Sequence, residues 1–268
     1  MEENELSVKD MQRLELDMMK DLHEFCEQNS LCYALGFGSC LGAVRHNGFI
    51  PWDDDIDIIM PYPDYLKLIE LKRQSEGRFQ VYSIETDQEC SITFAKYVDT
   101  YTELNEEETV SKPIGVYIDI FPIYGIPSDD KKLNNYINKL KINDYFLSCS
   151  RKRTYTGKTI CRTVVQNIIG PYAKFRGCSH YIKKALSLVR AYRYEDHDNV
   201  AYMPSVMWKK GFFPKYMLSK RKLHIFEDTE FYSPSDADKY LTLMYGDFMK
   251  LPPAEERITH HKYSVKFK

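Results

Sequence analysis

Four aspartates in five residues, Asp53, Asp54, Asp55 and Asp57, run directly into the apolar triplet Ile58-Ile59-Met60. No other stretch restricts the fold so strongly, because a chain entering a core strand rarely carries that much charge with it. Side chains alternate across a strand, so Asp53, Asp55 and Asp57 share one face, Ile56 and Ile58 take the other, and Asp54 faces away. Like charges about 4 Å apart repel by roughly 4 kcal/mol per pair at an effective dielectric of about 20, so the arrangement calls for a proton or a cation. Carboxylate oxygens with no Cys among them suit Mg²⁺ or Mn²⁺ rather than zinc, and Mg²⁺ takes one or two carboxylates together with substrate phosphate oxygens. The competing account is a solvated acidic loop with helix-capping duties.

The residues upstream favour the first account. Gly38-Ser39, after the apolar run Cys32-Tyr33-Ala34-Leu35, reads as a strand turning into a short helix whose free N–H groups can hold a phosphate. Arg45 follows as a planar phosphate donor, and Asn47-Gly48 is a tight-turn signal that returns the chain toward the acidic strand. Further on, Gly115-Val116-Tyr117-Ile118-Asp119-Ile120-Phe121-Pro122 is an apolar strand with one carboxylate in its middle. Such a group is either paired and functional or caps the following turn.

Gly-Ser, a spacer and Asp-Ile-Asp between apolar residues resemble the signature of the nucleotidyltransferase fold. The longer string Arg45-His46-Asn47-Gly48-Phe49-Ile50-Pro51-Trp52-Asp53-Asp54-Asp55-Ile56-Asp57 is similar to the LicD family of phosphocholine transferases, which includes relatives of fukutin. Asp-Ile-Phe-Pro at 119–122 and the closing run Tyr240 to Pro253, followed by His260-His261, resemble the same family. The resemblance implies an α+β fold, with a nucleotidyltransferase-like mixed β-sheet flanked by helices and a mainly helical C-terminal part. It implies Mg²⁺ or Mn²⁺ held by Asp53, Asp55, Asp57 and Asp119, with Asp53 the outlying member. Gly38, Ser39 and Arg45 would receive the diphosphate of CDP-choline, and Asp119 would activate a sugar hydroxyl. The acceptor implied is a glycan precursor of teichoic-acid or lipopolysaccharide type, free or carried on a lipid. An aromatic cage for the trimethylammonium head would draw on Trp52, Tyr117, Phe121 or Tyr124. His260 and His261 line the site or simply belong to a polar tail.

Composition narrows the rest. A chain of 268 residues builds one large or two small cooperative units, and 43% hydrophobic with 28% charged residues excludes disorder. No run is long enough to span a membrane, and Met1-Glu2-Glu3-Asn4 is not a secretory start. Seven scattered Cys without a Cys-x-x-Cys pair suggest reduced thiols in a cytoplasm. The net charge of −2 conceals a split, since residues 131–222 hold 21 Lys/Arg against 4 Asp/Glu. That segment predicts an anionic partner, a phosphate-rich polymer or the inner membrane face, and the competing account is a solvated Lys-rich helical surface. Nucleic acid is not expected, because no basic, aromatic-interleaved motif of the known modules is present.

Along the chain, residues 6–26 read as an amphipathic helix that packs on the core, and Pro63-Asp64 opens another that ends near Gln74. Phe79 to Ile84 and Ile92 to Val98 read as strands, and Glu103 to Glu108 as an acidic loop. From Pro127-Ser128-Asp129-Asp130 to about Tyr194 the pattern is helical and basic, with breaks at Gly157 and Gly170-Pro171. Val200 to Met203 and Leu223 to Phe226 read as short strands, and Ser235 as the cap of a helix that Gly246 ends after Tyr245. The division is thus a catalytic part over 1–127 and a mainly helical, acceptor-binding part over 128–268 that packs back on it. Two other functions fit the same residues: transfer of another CDP-activated group, such as phosphoribitol or phosphoglycerol, and a non-catalytic module that binds anionic polymer through the basic helices.

Overall fold

The computed structural model describes residues 7–87, 90, 92–106, 114–151, 160–203, 211–258 and 263–268. The first helix, α1 (Val8–Gln28), begins at a reciprocal cap in which Asp10 N–H donates to Ser7 Oγ and Ser7 N–H to Asp10 Oδ2. It buries Met11, Glu15, Met18, Met19, Leu22 and Cys26. The chain continues through β1 (Ala34–Leu35), α2 (Phe37–His46), β2 (Asp57–Pro61), α3 (Tyr62–Arg73), β3 (Phe79–Tyr82), β4 (Ala95–Asp99), β5 (Thr102–Glu106) and β6 (Tyr117–Gly125). Three basic helices follow, α4 (Asp130–Arg151), α5 (Ile160–Arg176) and α6 (Cys178–Arg190). The remainder is β7 (Asn199–Tyr202), β8 (Phe213–Pro214), the short α7 (Tyr216–Ser219), β9 (Lys222–Phe226), β10 (Thr229–Ser233), α8 (Ala237–Tyr245) and β11 (Tyr263–Phe267).

The fold is α+β, as expected, with a mixed sheet flanked by helices. Its main sheet runs β1-β2-β6-β4-β3, with β7 on β6 and β8 on β7. Among the described strands only β2 and β6 pair in parallel, with Asp57 opposite Asp119 and Ile59 opposite Phe121. β6 is long enough to serve two neighbours on its other edge: its first half pairs with β4, and Ile123 to Gly125 pair with β7. The 128–268 part therefore supplies strands to the same sheet. One core gathers α1, α3, the sheet and the β9–β10 hairpin around Met18, Leu22, Ile58, Ile118, Phe226 and Tyr240. A second lies among α4 to α6, around Tyr124, Leu140, Ile182 and Val189.

Several expectations need correction. Glu103 to Glu106 is not loop but strand, because β11 pairs antiparallel along β5 from Thr102↔Phe267 to Glu106↔Tyr263. β4 starts at Ala95, three residues after Ile92. Gly170-Pro171 does not end a helix; α5 runs through it, and the break comes at Gly177, whose φ of +78° suits glycine. Gly157 lies outside the described residues. The cap of α8 is Asp236, whose carboxylate accepts from Lys239 N–H, and not Ser235.

Candidate active site

The turn from β1 into α2 is built against the acidic strand by close backbone approach. Gly36 N–H donates to Asp57 C=O at 2.9 Å, and a Cβ on Gly36 would sit 2.8 Å from Ile59 Cγ2. Ser39, buried in the first turn of α2, accepts from Asp57 N–H at 2.8 Å and so fixes where β2 begins. A Cβ on Gly38 would lie 2.8 Å from Asp53 Oδ2, which places that carboxylate beside the positive end of α2. Phe37 between them has φ +41°, a strained value for an aromatic residue that only a well-packed surrounding holds.

Three strands place their charged residues in one row. Asp57 on β2 faces Asp119 on β6, and Asp119 faces Lys96 on β4. Paired residues point to the same side of a sheet, so the two carboxylates and the ammonium are neighbours. Lys96 Nζ lies 3.1 Å from Asp119 Oδ1 and 3.0 Å from the centre of the Tyr117 ring. The Asp57 carboxyl is held well above its ordinary value, first by burial and then by the charges of Asp55, Asp119 and Asp53, with Lys96 opposing them. Tyr245 of α8 also feels Asp57 and Asp53, after burial, and its hydroxyl is pushed up.

Sequence reasoning missed two residues that α1 brings to this group. Gln12 Nε2 donates to Asp53 C=O at 2.7 Å and ties the acidic loop to the helix. Glu15 is 2% exposed, and its Oε2 has no hydrogen-bond partner among the described residues. Its carboxyl is pushed well up by burial and then by Asp55, Asp54, Asp119 and Asp57. A signal was present: Glu15 falls four residues after Met11 and three before Met18, inside the buried arc of α1. Asp54, placed away from the site, does not reach solvent either; it is buried and is the second of the charges acting on Glu15. Lys96 gave a weaker signal, a cation between Ala95 and Tyr97 in a mainly apolar strand.

Every acidic group here is a hard oxygen donor, which fits Mg²⁺ or Mn²⁺. Among the described residues no three His, Cys, Asp or Glu form a ready-made metal cage. A cation that completes its shell with water and substrate phosphate needs only one or two carboxylates, and the neighbouring Asp57 and Asp119 can supply them.

Arg45 and Trp52 form a separate group. Arg45 sits in the last turn of α2, seven residues or about 10 Å of helix from Gly38. Its Nε donates to His46 Nε2 at 3.0 Å and its guanidinium donates to Phe248 C=O at 2.7 Å. Burial and the nearby Arg257 charge lower its hold on the proton. The Trp52 ring centre is 6.3 Å from that of His46 and 5.7 Å from the Arg257 guanidinium. Of the aromatic residues proposed for a cage, Tyr117 lies under Lys96 and Phe121 packs with Phe37 at 5.1 Å, Phe94 at 4.7 Å and Tyr202 at 4.8 Å. Tyr124 does not join them. It has the opposite strand parity to Asp119 and is buried in the helical core against Tyr62. His260 and His261 lie outside the described residues.

Residues 30–160 match the family described as LicD/FKTN/FKRP, nucleotidyltransferase domain. Over 263 residues, 96% of each chain, the sequence is 30% identical to the lipopolysaccharide cholinephosphotransferase LicD of Haemophilus influenzae. Shorter matches are to uncharacterized proteins of Rickettsia prowazekii, 44% identical over 59 residues (22% of each chain), and of Rickettsia typhi, 42% identical over 57 residues (21% of this chain, 18% of the other).

Proposed function

The chain belongs to the LicD family and is a transferase, and on that premise we propose that it moves phosphocholine from CDP-choline to a sugar hydroxyl of a glycan precursor, with Mg²⁺ or Mn²⁺ as cofactor. The observation that carries this reading is the Asp57–Asp119 pairing across the parallel strands, inside a chain similar to a cholinephosphotransferase along its whole length.

Asp55, Asp57 and Asp119 would hold the cation, and Asp53 the edge of the site beside α2. When bound, the cation neutralises charge on the phosphate oxygens, where phosphoryl transfer gains most of its rate. The first turn of α2, with Gly38 and Ser39, faces the diphosphate. Arg45, Trp52 and Arg257, at the far end of the same helix, receive the nucleotide end of the donor. Asp119 takes the proton of the acceptor hydroxyl as its oxygen bonds to the choline-bearing phosphorus. The bond from that phosphorus to the bridging oxygen breaks, and CMP leaves. The half-buried rings of Phe37, Phe94, Phe121 and Tyr202 on the Asp119 side favour a cationic passenger over a neutral alditol.

The test is CMP release from CDP-choline with a glycan acceptor, repeated with CDP-ribitol and CDP-glycerol. Asp57→Asn should lower turnover by about two orders of magnitude or more with little loss of folding. Turnover close to that of the unaltered protein would remove Asp57 from the chemistry, and preference for an alditol donor would replace choline as the passenger.

A further inference from the structure

Five large apolar side chains of α5, Val164, Val165, Ile168, Tyr172 and Phe175, are exposed, Ile168 to 70% and Phe175 to 87%. At about 100° per residue they fall within an arc of about 100°, so they make one continuous stripe. Gln166 and Ala173 lie on the opposite side of the helix and are buried. The stripe is therefore the outer face of a helix whose inner face is already packed; Tyr172 stands edge-on to Phe146 of α4 at 6.4 Å, and among the described residues no ring partner covers Ile168 or Phe175. A contiguous apolar surface of this kind marks a docking site.

Charge restricts what can cover it. From Ile160 to Arg190, across α5 and α6, the chain has Arg162, Lys174, Arg176, Lys183, Lys184 and Arg190 and no Asp or Glu. A second copy docked stripe to stripe would bring two acid-free, basic hairpins together without a compensating charge. An anionic polymer in water would satisfy the bases and leave the stripe wet. A bilayer surface satisfies both, with acyl chains for the stripe and anionic headgroups for the bases. No helix among the described residues is long and apolar enough to cross a membrane, so the helix would lie on the surface and not through it.

We propose that the exposed face of α5, together with the exposed bases of α6, seats the protein on an anionic lipid bilayer. This goes beyond the transfer reaction and does not depend on which group is transferred. α5 would lie in the interface plane, with Ile168, Tyr172 and Phe175 immersed at headgroup depth and Lys183 and Lys184 set among lipid phosphates.

Co-sedimentation of the full chain with phosphatidylcholine vesicles, and with vesicles that also contain phosphatidylglycerol, tests it. The protein should follow the anionic vesicles, less so as salt rises, and leave the neutral ones. Ile168→Asp combined with Phe175→Asp should weaken vesicle binding by roughly tenfold or more. Lys183→Glu should weaken it about fivefold, and only on anionic lipid. Because all three side chains point to solvent, unchanged circular dichroism and melting temperature are expected of both variants. Undiminished sedimentation of the apolar double variant, or equal binding to neutral vesicles, overturns the proposal. So does a dimer in light scattering that the double variant converts to monomer, since a second copy would then be the occupant.

Discussion

Asp57 and Glu15 are carboxyls placed where a carboxylate is costly. Burial and their aspartate neighbours hold them above the ordinary values of 3.8 and 4.5. Raised folded-state values mean that these groups favour the fold below about pH 4 to 5 and that this contribution is lost as pH climbs through the raised values. As pH rises above about 5, the protein without divalent cation should therefore lose thermal stability. Glu15→Gln should flatten that slope and melt higher at neutral pH. Melting curves across the range check this, and an unchanged slope would mean that Glu15 does not sense the aspartates. Added Mg²⁺ should raise the melting temperature of the unaltered protein at neutral pH and do much less for Asp57→Asn. Asp57 and Asp119 were legible because strand parity is a sequence property, and a parallel neighbour of equal parity completes the pair. Parity did not place Asp53 and Asp55, because β2 begins only at Asp57 and they lie in the irregular segment before it. Glu15 could be found only by asking which charge lies inside α1's buried arc. Arg45 was expected beside Gly38 and Ser39, but the length of α2 sets it at the other end of the helix, bonded to His46 and to Phe248 C=O.

Among elements, the helix–return unit around α2 is the most tightly specified. A Cβ on Gly42 would stand 2.4 Å from Gly48 C=O, so the last turns of the helix and the returning loop touch backbone to backbone. Asn47, at φ +54°, makes the turn between them, and its C=O accepts from Glu227 N–H of the β9–β10 turn at 2.8 Å. Gly42→Ala should push the loop that carries Asp53 away from the helix. We expect a loss of about 2 kcal/mol in urea unfolding together with a fall in turnover. Full stability in that variant would show that the loop yields without cost. The Asn47-Gly48 signal announced this unit. β5 was announced by nothing local: its residues are polar and acidic, and its strand character comes from β11 at the other end of the chain. The run of α5 through Pro171 was likewise hidden, since the helix beyond the proline buries Ala173 in the helical core, a tertiary contact that local sequence does not show.

At the scale of the molecule, β6 is common to both cores. It offers Ile118 and Ile120 to one and Tyr124 to the other, and it carries Asp119 on its opposite face. The division at residue 127 separates two compositions, but β7 completes the sheet from the far side of that boundary. Residues 1–127 made alone would leave the end of β6 without β7, and Tyr124 and Ile126 without the helices that bury them. That fragment should be aggregated or lack a cooperative melting transition, and a soluble fragment with a sharp transition would show the first part to be independent. The parallel pairing of β2 with β6 has one more consequence. Strands slip by whole residues or not at all, and a one-residue slip turns Asp119 to the other face of the sheet. Such a centre has no half-assembled form to pass through, so whatever adjusts its output must work by filling or emptying it.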